Sequence, residues 1–133
     1  MENFVIDKDF EYKGLRCVVM FTDMGYYNGY VGVSKTHPLY GVSYLDDRTD
    51  NLECHGGLTY STQDEDNDYP VPSDLWWFGF DFAHAWDKRD DQRVKELFPK
   101  KAWSSGFERP DCHAWTPEEV ADEVKVLADQ LAE

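Results

Sequence analysis

The stretch that most constrains this chain is Leu75–Asp87, LWWFGFDFAHAWD, in which a dense apolar run passes directly into three polar residues. Its aromatic first half is short and follows two prolines, a pattern typical of a buried strand. Its second half places Asp81, His84 and Asp87 at intervals of three. If the chain turns helical near Phe80, three-residue steps keep these side chains on one face. We therefore predict a core strand that delivers a polar cluster at its carboxyl end.

Two other segments give clear local signals. Leu15–Phe21 and Tyr26–Val33 are apolar runs separated by turn residues, which indicates a β-hairpin. Thr116 and Glu119 have the spacing of a capping box, and apolar residues then recur at helical intervals to about Leu131. The C-terminal segment is therefore predicted to be an amphipathic helix.

The remaining segments are assigned from weaker patterns. The residues before the hairpin read as a short charged lead, and Leu52–Tyr60 predicts a strand interrupted by two glycines. Thr62–Asp68 predicts an acidic loop, and Lys88–Phe98 a short amphipathic helix that ends at a proline. The loop that follows should pack over the core because it carries several aromatic residues, Trp103, Phe107 and Trp115.

These elements together predict the fold class. A chain of 133 residues is long enough to bury a core without disulfides. We predict a single α+β domain spanning residues 1–133, with a mainly antiparallel sheet of four or more strands. The C-terminal helix should pack on one face of that sheet.

Charge and cysteine usage exclude several classes of function. A formal net charge of -14 argues against direct binding to nucleic acid or to an anionic membrane surface. It leaves two interpretations, a solvated acidic surface and a surface that meets a basic groove on a partner. Three cysteines without a CxxC pair do not suggest a secreted disulfide framework, and no signal peptide or long apolar run is present. We therefore expect a soluble, cytoplasmic protein.

Four residues form the candidate site: His55, Asp81, His84 and Asp87. Imidazole nitrogens with carboxylate oxygens suit zinc, and four ligands would make a closed, structural site. Three ligands would leave a position for water, with the spare carboxylate as a general base. Without a metal, the set could serve as an acid/base pair, or the aspartates could simply cap local structure. Cys54 should face away from His55 because neighbours alternate along a strand.

Other ligand or enzyme signals are weak. Cys112 and His113 are adjacent in a loop, a placement more typical of unrelated residues than of paired ligands. The sequence contains no phosphate-binding glycine loop, dinucleotide-binding fingerprint or nucleophile elbow. The common enzyme classes therefore find no support.

Three stretches carry a resemblance to a known group of proteins. HGGLTY (His55–Tyr60), WWFGFDFAHAWD (Trp76–Asp87) and NGYVGVSKTHPLYG (Asn28–Gly41) resemble small acidic proteins carried by phages and prophages, over roughly Tyr12–Asp87. The chain is also similar in size and character to at least one zinc-binding type II anti-CRISPR inhibitor. The resemblance implies a phage-encoded counter-defence protein in the bacterial cytoplasm that holds a metal through the histidines and aspartates named above, with no catalytic step. Because Phe82 replaces the small or thiol residue that follows the GFD aspartate in the family, no ligand role is assigned there.

Two hypotheses follow. The first is an inhibitor whose acidic surface binds a bacterial CRISPR effector nuclease, with a structural zinc and no small-molecule substrate. The second is a metal-dependent hydrolase of a nucleotide or phosphoester, against which the acidity counts because anionic substrates prefer positive clefts. A basic pocket would favour the second hypothesis, and its candidate residues are Arg16, Arg48, Lys88 and Arg89.

Overall fold

Five antiparallel strands form one sheet in the computed structural model, which describes residues 3–63, 67–84, 86–100 and 112–132. The strand order is β1-β2-β3-β5-β4, and the prediction of an α+β fold with a C-terminal helix packed on the sheet is confirmed. The elements are β1 (Phe4–Tyr12), β2 (Leu15–Thr22), β3 (Tyr27–Val33), a 3-10 helix (Asp47–Thr49), β4 (Tyr60–Ser61), β5 (Trp76–Asp81), α1 (Asp91–Leu97) and α2 (Pro117–Leu131).

The predicted hairpin is confirmed as β2 and β3. The turn between them is closed by two hydrogen bonds at Thr22, whose carbonyl accepts from Gly25 N–H at 3.0 Å and whose hydroxyl donates to Tyr26 O at 2.9 Å. Gly25 has a φ of +87°, a conformation that glycine adopts without steric cost. Local turn chemistry is therefore sufficient to define this part of the sheet.

The predicted charged lead is instead the edge strand β1. It pairs with β2 from Phe4 opposite Thr22 to Tyr12 opposite Leu15. The register shifts between Ile6 and Lys8, so the apolar alternation of the strand is interrupted. Every side chain of β1 is at least partly exposed, so the strand can carry many charged residues. Its sequence therefore does not resemble that of a core strand.

Helix α2 packs against the sheet at a glycine. The buried residues Val120, Val124 and Leu127 face the strands, and a side chain at Gly29 would place its Cβ only 2.6 Å from Val124 Cγ2. The absence of a side chain on β3 thus lets the helix approach closely. This contact builds the larger core cluster, which lies between α2 and one face of the sheet.

Helix α1 confirms the predicted short helix and contacts the edge strand β1. Arg93 forms a two-bond ion pair with Asp7 of β1, with Nη1 to Oδ2 at 2.6 Å, and its guanidinium carbon lies 4.4 Å from the Phe21 ring centroid. These contacts hold the chain immediately after the candidate site.

Two predicted elements are wrong. Leu52–Tyr60 is a loop apart from its last residue, because Gly56 and Gly57 both have positive φ and end any extended pairing. The helical turn expected near Phe80 is also absent: β5 continues through Asp81, and the described residues of 82–87 form irregular structure without a helix.

Some predictions fall outside the described residues. They include the middle of the acidic loop, at residues 64–66, and the aromatic residues Trp103 and Phe107. Among the helices of the described segments, none combines the length and apolar character needed to cross a membrane.

Candidate metal site

Three segments that are distant in sequence meet at the carboxyl end of β5. The loop 52–59 contributes His55, the loop 82–87 contributes His84 and Asp87, and the residues just before α2 contribute Trp115. His113 exchanges main-chain hydrogen bonds of 2.9 and 2.8 Å with the residues on either side of Asp87. The site is therefore built from irregular backbone held together by a few specific contacts.

The carboxylate of Asp87 lies at the centre of this arrangement and its side chain is fully buried. Nε2 of His55 lies 3.0 and 3.1 Å from its two oxygens, and Nδ1 of His84 lies 2.9 Å from Oδ2. The His84 amide donates at 3.0 Å and the Trp115 indole N–H at 2.7 Å. Burial raises the pKa of Asp87, but donation from His55, His84 and Trp115 outweighs it, so the net pKa shift is downward.

Glycine is required where the two histidine segments meet. Gly56 has a φ of +71°, and a Cβ built there would collide with Cε1 and Nε2 of His84. The neighbouring Gly57 also has a positive φ of +86°, but a Cβ there would meet nothing within 4 Å. The lack of a side chain at Gly56 therefore makes room for the imidazole of His84.

Aromatic rings fix the orientation of both imidazoles. His55 stacks on Phe82, with ring centroids 4.4 Å apart and planes inclined by 11°. His84 stacks on Trp86, with centroids 4.9 Å apart and planes inclined by 8°. Because these contacts restrict ring rotation, they aim one nitrogen of each histidine at Asp87.

The three side chains fit a metal ion in both chemistry and spacing. One ligand atom from each of His55, His84 and Asp87 lies within 4.8 Å of the others. Zinc bonds of about 2.0–2.1 Å in a tetrahedron place ligand atoms roughly 3.3 Å apart, close to the 2.9 and 3.0 Å separations from Asp87. In the described structure these side chains hydrogen-bond to one another, and the same arrangement would allow them to bind a metal ion instead.

Asp81 does not join this group. It lies at the end of β5, where alternation directs Phe80 and Phe82 toward the main core and Asp81 to the other face of the sheet. Its Oδ1 lies 3.5 Å from His84 Nε2, on the side of the ring away from Asp87. Of the four predicted ligands, three come together, and Asp81 instead neighbours the back of one imidazole.

Other cysteine and histidine side chains of the described residues have different environments. Burial raises the pKa of the Cys54 thiol to about 12, which disfavours the thiolate that a metal would need. His113 Nε2 lies 2.8 Å from Glu119 Oε2 at the start of α2, and His37 Nε2 lies 2.7 Å from Leu131 O at its end. Neither histidine belongs to the cluster found among the described residues.

Of the residues proposed for a basic pocket, Lys88 and Arg89 line a common cavity of about 390 Å³, but two aspartates line it as well, so this cavity is not basic overall. Arg16 pairs with Asp9 at 2.7 Å and Arg48 with Asp46 at 3.0 Å, both at the surface. Arg89 is buried, pairs with a neighbouring aspartate and donates to Met24 O at 2.6 Å. Three of the four candidate cations thus have carboxylate partners of their own.

Trp115 is the site residue that sequence reasoning missed. Its aromatic character predicted packing over the core, but its indole N–H donates to Asp87, which lies 28 positions away. No spacing rule connects the two residues, so only the folded chain reveals the contact.

Comparisons with family models, with curated proteins and with solved structures give no match.

Proposed function

We propose that this protein is a zinc-binding inhibitor that acts by docking on another protein. The observation that carries the proposal is the convergence of His55 Nε2, His84 Nδ1 and the buried Asp87 carboxylate. Two imidazoles with one carboxylate are a donor set that suits zinc. When bound, zinc would fasten irregular segments that otherwise depend on a few hydrogen bonds, and its binding free energy would add to the stability of the fold.

The metal content of tag-free protein tests the first part of the proposal. We expect about one zinc ion per chain in the wild type and none in His84→Ala, with a lower melting temperature in the variant. His113→Ala is the matched control, because this nearby exposed histidine lies outside the cluster and should leave the zinc content unchanged. Zinc retained in His84→Ala, or absent from the wild type, would contradict the assignment.

The proposed partner is the effector nuclease of a type II CRISPR system. Two features support it: the resemblance to small acidic phage proteins, and a net charge of -14, which complements a groove built to hold nucleic acid. Docking there would compete with DNA loading, so the inhibitor itself need not bind DNA.

A reconstituted cleavage assay tests this partner. Protein in molar excess, added to the guide-loaded nuclease before DNA, should suppress cleavage, and the same excess added after DNA has bound should suppress it less. Inhibition should weaken as salt rises, because exposed charges are screened. A gel shift with DNA alone serves as the control and should show no complex. Full cleavage under the first condition would contradict the proposal.

A metal-dependent hydrolase of a nucleotide or phosphoester is the second candidate. It is favoured by one observation, that three ligands lie among the described residues, because zinc sites with three protein ligands keep a position for water. One chemistry that zinc supplies in such sites is the activation of that water. Asp81, beside His84, would be the carboxylate available to accept a proton.

Turnover of a chromogenic phosphodiester by zinc-loaded protein tests this second candidate. Hydrolysis that is lost in His84→Ala but kept in His113→Ala would support the hydrolase. No turnover by zinc-loaded wild type would exclude phosphodiester hydrolysis and leave the inhibitor as the proposed function.

A further inference from the structure

The described residues cover only part of the sheet face opposite α2. A second core cluster is formed there by Val18, Met20, Tyr30, Val71 and Trp77, under the segment that precedes β5. The segment that covers this cluster includes Tyr69, whose hydroxyl lies 3.5 Å from Met20 Sδ. Beyond Tyr69 the same face opens into a groove of about 640 Å³.

The register of the strands determines what lines the floor of this groove. Met20 of β2 lies opposite Asn28 of β3, which in turn lies opposite Asp81 of β5. Residues paired across strands project from the same face, so a thioether, an amide and a carboxylate stand in one row. Phe4 and Tyr69, packed edge to face with centroids 5.7 Å apart, add an aromatic wall at one side.

The charged side chains that line the groove among the described residues are all acidic. Asp23 and Asp81 both line it, and the described residues of its lining include no lysine, arginine or histidine. The side chain of Met24, which is 52% exposed, lies at its rim beside Asp23. An apolar and aromatic surface that carries two carboxylates is suited to a cation with a flat apolar face.

We propose that this groove binds an arginine side chain presented by the basic protein on which the inhibitor docks. A guanidinium is planar and weakly hydrated, and it can stack on an aromatic ring while donating to carboxylates. A lysine ammonium is more strongly hydrated and offers no planar face to Phe4 or Tyr69. The net charge of -14 favours a basic protein as the source of this side chain. The inference deepens the proposed docking function and rests on it.

Nuclear magnetic resonance titration with a blocked Gly-Arg-Gly peptide tests the groove directly. We expect amide shifts at Thr22, Asn28 and Asp81, with weaker shifts from the matching Gly-Lys-Gly peptide. Asp23→Asn should reduce the affinity about fivefold or more, because it removes a charge-assisted contact. Phe4→Leu, which keeps an apolar side chain but removes the aromatic face, should also weaken binding.

Asp47→Asn is the matched control, because it removes one exposed carboxylate from the 3-10 helix, which does not line the groove. Equal weakening in Asp23→Asn and Asp47→Asn would indicate general charge attraction and would overturn the proposal. Arginine methyl ester that binds more tightly than the peptide would overturn the assignment to a protein side chain. Melting curves and zinc contents of the variants identify any loss of fold.

The cleavage assay separates this inference from the proposed function. If Asp23→Asn inhibits the nuclease as well as the wild type does, the groove assignment fails and the inhibitor proposal stands. If the arginine peptide binds in the groove but the wild type does not inhibit, the nuclease proposal fails and the cation site stands.

Discussion

Gly56 and Gly57, which are adjacent, differ in how a side chain would affect the candidate metal site. Both have positive φ, so any L-residue at either position bears a similar backbone cost of about 1–2 kcal/mol. Only at Gly56 would a Cβ also collide with the His84 ring. The pair therefore distinguishes backbone strain from displacement of a ligand.

We predict that Gly56→Ala loses more stability than Gly57→Ala in chelator-treated protein, because only the first displaces His84 from Asp87, and that the two variants also differ in zinc affinity. Gly56→Ala should weaken zinc binding about 10- to 100-fold, the range seen when support for a ligand is removed. Gly57→Ala should bind zinc nearly as the wild type does. Urea unfolding and competition with a chromogenic chelator measure the two effects, and equal zinc affinities would contradict the placement of His84.

Helix α2 shows how one element depends on its first turn. Thr116 Oγ1 accepts from the Glu119 amide at 3.2 Å, and Glu119 Oε1 accepts from the Thr116 amide at 3.1 Å. The second carboxylate oxygen lies 2.8 Å from His113 Nε2. This cap begins immediately after Trp115, so it also fixes the segment that donates to Asp87.

Loss of the cap should be measurable. Thr116→Ala removes the acceptor for the Glu119 amide and should reduce the free energy of unfolding by about 1 kcal/mol. Thr116→Ser keeps a hydroxyl and should stay close to the wild type. Urea denaturation of the three proteins at neutral pH provides the comparison, and a serine variant as unstable as the alanine variant would show that the methyl group matters rather than the cap.

The cap should also depend on pH. The hydrogen bond from His113 lowers the pKa of Glu119 from its ordinary 4.5, more than its slight burial raises it. Since the pKa is lower in the folded state, this stabilisation is present above pH 4.5 and is lost as the pH falls through the folded-state pKa. Glu119→Gln should therefore show a flatter loss of stability below pH 4.5 than the wild type, as measured by thermal unfolding across that range. Parallel curves would contradict the assignment.

The whole molecule carries 27 acidic side chains against 13 lysines and arginines, so repulsion acts over its entire surface. Several of the basic residues are committed to local pairs, as Arg16 is with Asp9 and Lys13 with Asp129. The excess carboxylates support solubility and favour docking on a basic surface, but they oppose compactness.

Salt should therefore stabilise the free protein. Raising sodium chloride from about 0.01 to 0.15 M shortens the screening length from roughly 30 to 8 Å. We expect the melting temperature to rise by a few degrees, equivalent to about 1 kcal/mol. Measurements on zinc-loaded and chelator-treated protein separate this effect from metal binding. A melting temperature that falls with salt would mean that the ion pairs, led by Arg93 with Asp7, outweigh the repulsion.

Local sequence was enough to predict the elements whose signals lie within a few residues. The capping box of α2, the hairpin turn at Thr22 and the aromatic strand β5 all follow from short-range chemistry, and their combination predicted the fold class. The two histidines and the aspartate of the candidate site were also among the predicted ligands, because residue type alone limits which side chains can bind a metal.

Tertiary structure decided how these residues meet. His55 and Trp115 reach Asp87 across 32 and 28 positions, and no periodicity encodes such contacts. Asp81 turns away because β5 continues where a helix was predicted, and a single step along a strand reverses the direction of a side chain. The sequence alone determined which groups could form a site, and packing between distant segments determined which of them do.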